Sequence, residues 1–275
     1  MSSSDVSQDL FFESYNENRP TTLILLHGLF SCHLEWEYVI PGLVDYHLIV
    51  PDLPRHSASR HIGPWSLDLA ASSVADLIRK HARDGQAHLV GLSLGGFVAV
   101  ETLHRYPDLV KSTFVTGTTP FNSIQTWMAQ RPSLLHYGLR FVMNSGIYSL
   151  TAWKAGLKDH AQLKVEMAAN NDWQLTNDAF GELARWKMDD VGDVIGQGKR
   201  LLVAVGDQGD NVEGAKDMAR YFREKADGED MTEAYLVKGA IHAWDLQFPT
   251  LFAQGIRAWI DGKPLPEGFE TLLDA

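Results

Sequence analysis

Ser93 stands at the centre of Gly91-Leu92-Ser93-Leu94-Gly95, with a glycine two residues away on either side. A hydroxyl is a poor nucleophile at neutral pH, so a serine that attacks a carbonyl needs a base within hydrogen-bond reach and a third group to orient that base. The G-x-S-x-G spacing suits this task for a steric reason. It puts the serine on a sharp turn from strand to helix, where side chains at 91 and 95 would collide and where glycine tolerates strained dihedrals. The flanks agree: 87–90 is a short apolar run that reads as a buried parallel strand, and helical spacing resumes after Gly96 at Phe97, Val100 and Leu103. The pattern alone arises by chance in roughly one chain in ten of this size. The surrounding elements must therefore carry the argument.

Those elements alternate. Residues 10–15 read as an edge strand, 22–26 (TLILL) as a buried one, 27–30 (HGLF) as a turn, and 34–44 as a helix with Trp36, Val39/Ile40 and Leu43 inward. A second buried strand, 47–51 (HLIVP), ends in Asp52-Leu53-Pro54. Ser66 is placed to cap a helix carrying Leu67, Ala70/Ala71, Val74 and Leu77/Ile78 on one face. The helix after Ser93 stops at Pro107, and 112–116 (STFVT) is a further strand. From 119 to 191 the strands cease, and a stretch rich in Trp, Met and Leu has helical spacing, which reads as an inserted lid. The sheet resumes at 200–205 (RLLVAV), followed by the 206–212 loop, a helix with Val212, Ala215, Ala219 and Phe222 on one face, a strand at 233–237, the 238–244 loop and a last helix with Leu251, Ile256 and Trp259/Ile260 inward. The tail from 262 to 275 has no assigned structure.

Strands alternating with helices imply an α/β fold with a doubly wound, mostly parallel sheet, whose core is 1–118 with 192–275 and whose insertion is 119–191. In such sheets ligands sit at the carboxyl ends of the strands. Ser93, the 27–30 loop, the 206–211 loop and His242 all follow predicted strands, so they share that rim. His242 is the expected base on that rim, with His27 its closest rival, and the acid is left open between Asp207 and Asp210.

Composition narrows the partners. The chain has 275 residues, 45% of them hydrophobic, enough to bury a large core. Its formal net charge is −11, and no basic run interleaved with aromatics appears, which argues against nucleic acid. Cys32 is the sole cysteine, so no intramolecular disulfide and no thiolate-rich metal site can form. Residues 1–18 lack the pattern of a secretory signal, and no apolar stretch is long enough to span a bilayer, so a cytoplasmic location is expected. No cofactor or metal is implied, and H-E-x-x-H is absent.

Over nearly its whole length the chain resembles the lid-bearing serine branch of the α/β-hydrolase superfamily. The resemblance rests on HGLF at 27–30, DLPRHSAS at 52–59, GLSLGG at 91–96, an acid after the 200–205 strand and GAIHAW at 239–244, in the order Ser, Asp, His. HSAS and the insertion are also similar to α/β-hydrolases of fungal natural-product pathways, which implies secondary metabolism. The resemblance implies a Ser93–Asp210–His242 triad, with Asp210 favoured over Asp207 by its distance from the strand's terminal glycine. It also implies an oxyanion hole from the backbone amides of Leu29 and Leu94, and a buttressing role for His27. Arg55 and Ser57 replace glycines common in the family, so the 52–59 loop is expected to be differently shaped, with Arg55 and His56 at a solvated surface. Cys32 is expected to be a packed residue.

The implied activity is cleavage of an ester, thioester or lactone with a bulky apolar acyl group. The alternatives are transfer of that acyl group to a substrate hydroxyl or amine, as in an acyltransferase or macrocyclase, and a non-catalytic ligand-binding protein on the same fold. Carbon–carbon or cyanohydrin cleavage would need polar groups the sequence does not assign. An elbow aspartate would mark an epoxide hydrolase or haloalkane dehalogenase; the serine disfavours both. Trp127, Met128, Trp153 and Trp173 read as core of the insertion rather than as pocket lining.

Overall fold

Short, uniformly apolar runs are what a strand covered on both faces requires, and in the computed structural model they form one eight-stranded sheet. The structure describes residues 9–145, 154–195, 198–226 and 231–273. The strands are β1 Phe12–Tyr15, β2 Thr22–Leu26, β3 His47–Pro51, β4 Ala87–Leu92, β5 Val110–Thr116, β6 Arg200–Gln208, β7 Thr232–Ile241 and β8 Phe269–Thr271. Their order across the sheet is β1-β3-β2-β4-β5-β6-β7-β8. The six inner strands run parallel, whereas β1 and β8 close the two edges antiparallel. The tail left unassigned by periodicity thus supplies an edge strand, which is too short for its pattern to be read.

Alternation along the strands divides the core. Ile24, Leu26, Leu89, Leu201 and Val203 face a layer that contains α1 (Leu67–His81), α2 (Leu94–Arg105) and α8 (Val212–Lys225). Leu23, Leu25, Val90, Phe114 and Leu202 face the other layer, with Trp36, with Trp244 of α9 (Trp244–Gln247), and with Phe252 and Trp259 of α10 (Pro249–Asp261). The Ser66 hydroxyl accepts from Leu69 N at 3.1 Å, capping α1 as its position predicts.

Between β5 and β6 the described chain is helical: α3 Ser123–Ala129, α4 Pro132–Asn144, α5 Ala161–Asn170, α6 Trp173–Leu183 and α7 Gly192–Ile195. Trp127, Met128 and Trp173 lie exposed on this segment, not in a core; Trp153 falls outside the described residues. Among those residues, no helix is long and apolar enough to cross a membrane.

Two predicted elements differ. Residues 34–44 form not one helix but two 3-10 turns, His33–Trp36 and Ile40–Leu43. Pro41 removes an amide that an α-helix would use. Gly42 packs so closely on α10 that a Cβ there would lie 2.5 Å from the Ala253 Cβ. The 206–212 and 238–244 loops are also shorter than their composition suggests. β6 runs to Gln208, paired with Ile241 of β7 past an irregularity in register, so ladder hydrogen bonds outweigh the glycines there.

Candidate active site

Ser93 links β4 to α2 with φ 53 and ψ −116, a conformation L-residues rarely adopt. The glycines explain how the turn closes: a Cβ on Gly91 would lie 2.4 Å from Gly95 O, and one on Gly95 would lie 2.1 Å from Leu26 O. The strained serine is held by Ser93 N donating to Thr116 O (2.8 Å) and by Thr118 Oγ1 donating to Ser93 O (3.1 Å). Its neighbours in α2 also donate to that carbonyl, Gly96 N at 2.9 Å and Phe97 N at 3.3 Å. Leu94 N is the first amide of the helix, with no carbonyl one turn back to receive it.

His242 follows β7, with its ring over Gly117, where a Cβ would lie 2.5 Å from the His242 Cε1. The segment 116–118 therefore touches both Ser93 and His242. Asp210 Oδ1 accepts from His242 Nδ1 at 2.6 Å, and Asp210 Oδ2 accepts from Gly206 N at 2.9 Å. Asp207 is exposed on β6. The cap of α8 falls to Asn211, whose Oδ1 accepts from Gly214 N at 3.0 Å, so Asp210 is free of that duty. Removal from water works against a charged His242, but the Asp210 hydrogen bond and charge, with Glu35 adding to them, raise its pKa above 6.5. Ser93 Oγ and His242 are near the same segment without a hydrogen bond between them. Beside His242 and Asp210 a cleft of about 160 Å³ is lined also by Thr119, Gln125 and Asn211.

The loop carrying Leu29 is fixed on all sides. Gly28 O receives His27 Nδ1 at 2.8 Å and Ser31 N at 3.1 Å. Because a trans peptide points N–H and C=O in opposite directions, these two bonds turn Leu29 N away from them. Gly28 N donates to Glu35 Oε2 at 2.7 Å, and Phe30, at φ 66, donates its N–H to His56 Nε2 at 3.2 Å. Leu53 N donates to His27 Nε2 at 2.9 Å, and His56 Nδ1 donates to Pro54 O at 2.9 Å. Both imidazoles are thus neutral, each with its proton on Nδ1. Burial pushes His27 down to about 4 and His56 down to about 3.

Three features of the 52–59 loop and its support differ from what the sequence suggests. His56 is completely buried rather than solvated. Arg55 (φ 69) and Ser57 (φ 40) take the left-handed conformation that glycine favours, so those substitutions leave the backbone in glycine-like geometry. Asn170, at the end of α5 and 140 residues from Phe30, binds the whole assembly: its Nδ2 lies 3.0 Å from Phe30 O, 2.9 Å from Ser31 O and 2.9 Å from Ser57 Oγ, and its Oδ1 accepts from Ser57 N at 2.8 Å and Arg60 Nη2 at 3.0 Å.

Two further carboxyls, Glu35 and Asp245, are buried at this site. A Cβ on Gly28 would lie 3.8 Å from both Glu35 Oε1 and Ser93 Cβ, which places Glu35 next to the elbow. Burial pushes Glu35 up to about 7 and raises Asp245 well above its usual range, with the Glu35 charge adding to the latter. Their only sequence signal is an acid beside a tryptophan, Glu35-Trp36 and Trp244-Asp245.

Cys32, His33 and Asp52 bring potential metal-binding atoms within 4.8 Å of one another. Asp52 Oδ1 already accepts from His33 N and Nδ1, both at 2.8 Å, and Oδ2 accepts from Ala58 N at 3.0 Å. Burial pushes the Cys32 thiol up to about 12. A thiol so reluctant to ionise is a poor metal ligand, and the group reads as loop support.

A family profile described as alpha/beta hydrolase fold matches residues 21–152. An AB hydrolase superfamily protein of Gibberella zeae is 28% identical over 266 residues, covering 96% of this chain and 88% of its own length. The chain belongs to the α/β-hydrolase superfamily. A pimeloyl-[acyl-carrier protein] methyl ester esterase of Methylococcus capsulatus is 32% identical over 120 residues, 43% of this hydrolase and 44% of that protein. A solved structure of a thermophilic esterase from Thermogutta terrifontis has a TM-score of 0.68 at 21% identity, covering 92% of this hydrolase and 93% of that chain. The similarity reaches both halves of the sheet, and names within it include esterases and hydrolases. This chain is accordingly an α/β-hydrolase enzyme.

Proposed function

We propose that this enzyme cleaves an ester or thioester of an apolar acyl group through Ser93, His242 and Asp210. The observation that carries the reading is the 2.6 Å contact between His242 Nδ1 and Asp210 Oδ1, made beside a serine held at φ 53. Nδ1 bonded to a carboxylate leaves Nε2 as the base, in the tautomer needed to take the Ser93 proton. Attack on the acyl carbon develops an oxyanion, which the amides of Leu29 and Leu94 stabilise; each such donor is worth about 2.7–4 kcal/mol of barrier. His242 then protonates the leaving oxygen or sulfur, and water attacks the acyl-enzyme with His242 again as base. The Ser93–His242 hydrogen bond forms as substrate packs against them, as is common for catalytic contacts.

The esterase name of a partial relative supports the ester class. The polar lining of the 160 Å³ cleft, Thr119, Gln125 and Asn211, supports water as the second acceptor. Helices α3 to α6, between β5 and β6, act as the lid over the acyl group. A fluorophosphonate is expected to label Ser93 in wild type and nothing in Ser93→Ala. Folded protein that takes no label at Ser93 would remove the mechanism. Product analysis with an acyl thioester separates the acceptors: free acid identifies hydrolysis, and an ester or ring identifies transfer.

A further inference from the structure

Helices α3 and α4 present an unusual exterior. Ile124, Trp127 and Met128 on α3, and Leu134, Tyr137 and Phe141 on α4, are all exposed, Phe141 to 68%. α4 also has an inner apolar side, with Leu135 buried and Leu139 and Met143 packed on the core. A helix that is apolar all round is ordinarily enclosed, and a contiguous exposed patch of this kind marks a surface that binds something.

Charge identifies the partner. From 119 to 145, the stretch that forms these two helices, the chain holds Arg131 and Arg140 and no Asp or Glu. The molecule is acidic overall and locally basic where it is apolar. A second copy, related by a two-fold axis, would set these two helices against the same two helices, which hold no carboxylate to pair with their arginines. Anionic headgroups above an acyl layer meet both properties at once. Arg131 lies 4.0 Å over the Trp127 ring and donates to Trp127 O at 2.9 Å, which sets cation and indole at one level. Pairing of that kind suits the boundary between headgroups and acyl chains.

We propose that the α3–α4 surface docks on an anionic lipid bilayer without crossing it. Basic side chains are attracted to the headgroups over a Debye length, while the apolar residues enter the interface. The acidic remainder of the molecule is repelled and faces the solvent, which fixes one orientation. α3 is also the helix that contributes Gln125 to the cleft beside His242, so docking brings the site mouth towards the lipid. The supply of an apolar acyl substrate from the bilayer rests on the ester-cleaving reading; the docking itself does not.

The test is cosedimentation of the full chain with phosphatidylcholine vesicles, with and without one third phosphatidylglycerol. Wild type is expected to pellet with the anionic vesicles, less at high salt and less with phosphatidylcholine alone. Leu134→Asp/Phe141→Asp is expected to lower that partition by at least about tenfold, since two large apolar side chains are lost from the interface. Arg131→Gln/Arg140→Gln is expected to bring binding to anionic vesicles down to the neutral-vesicle level. Both variants should keep the wild-type thermal unfolding midpoint and the wild-type rate on a short soluble ester. Equal binding by wild type and the Asp variant, or no vesicle binding by wild type, overturns the proposal. A dimer seen by light scattering that Phe141→Asp splits, without vesicle binding, reassigns the surface to self-association. If the soluble ester is not cleaved by wild type, the catalytic reading fails while the vesicle result still stands.

Discussion

At Ser93 the backbone and the chemistry pull in opposite directions. Its φ of 53 with ψ −116 strains an L-residue by about 1–3 kcal/mol, and the Thr116 and Thr118 hydrogen bonds oblige it to stay there. Ser93→Gly is therefore expected to abolish turnover and yet raise the unfolding free energy by about 1 kcal/mol, read from urea titrations, after allowing for the extra freedom of glycine in the unfolded chain. The two candidate acids should part as sharply. Asp210→Asn leaves His242 without a partner that fixes its tautomer, and a loss in kcat of about 10³–10⁴ is expected by comparison with other triads. Asp207→Asn, on an exposed strand end, should change kcat less than about twofold. Because Asp210 holds the His242 pKa above 6.5, kcat/KM should rise with pH through a midpoint above that value. The midpoint should move down in Asp210→Asn, where the attraction is removed.

The element that most needs explaining is the 27–31 loop, because the role proposed for its Leu29 amide requires that amide to stay aimed. Glu35, His27, His56 and Asn170 each hold one part of it, and Asn170 reaches it from α5. Asn170→Ala strands Phe30 O, Ser31 O and Ser57 N in a buried place. An unpaired buried group costs about 1–3 kcal/mol, so a loss of roughly 3 kcal/mol with partial relaxation is expected in chemical unfolding, together with a lower kcat from the shifted Leu29 amide. Asn170→Asp should be worse still, since a carboxylate oxygen would face two carbonyls. Unchanged stability and kcat in both variants would show that the loop stands without the helical segment. None of this was legible in the sequence, where nothing joins position 170 to position 30. The strands were legible, because burial on both faces leaves apolar runs such as 22–26 and 47–51 that no other element explains. The placement of Ser93, Asp210 and His242 just after strands was legible because the strands themselves were. The 34–44 segment misled because its apolar spacing survives in two tight turns, and Arg55 and Ser57 misled because hydrogen bonds donated by Ser57 N to Asn170 and by Ala58 N to Asp52 hold a backbone that glycine usually supplies.

At the scale of the whole molecule, buried titratable groups around the site oppose one another, and part of the acid stability follows from their balance. His27 and His56 sit below their ordinary 6.5, at about 4 and about 3, so the unfolded chain binds more protons than the folded one in that interval. The stability they contribute is complete above pH 6.5 and is lost as pH falls towards those values, at up to about 1.4 kcal/mol per pH unit for each. Glu35 works in reverse. With its pKa raised from 4.5 to about 7, the folded chain binds the extra proton, so its contribution is complete below 4.5 and is lost as pH rises through 7. Glu35→Gln keeps an acceptor for Gly28 N but removes this compensation. Acidification from pH 7 to 4.5 should then destabilise the variant more steeply than wild type, by up to about 1.4 kcal/mol per pH unit. His56→Gln should flatten the dependence below 6.5 by a similar slope, although its stability at neutral pH is lower. Urea unfolding at half-unit steps of pH measures both. Parallel curves for wild type and Glu35→Gln would mean that Glu35 titrates as an ordinary carboxylate, and that the elbow of this hydrolase is built over a fixed negative charge rather than a protonated acid.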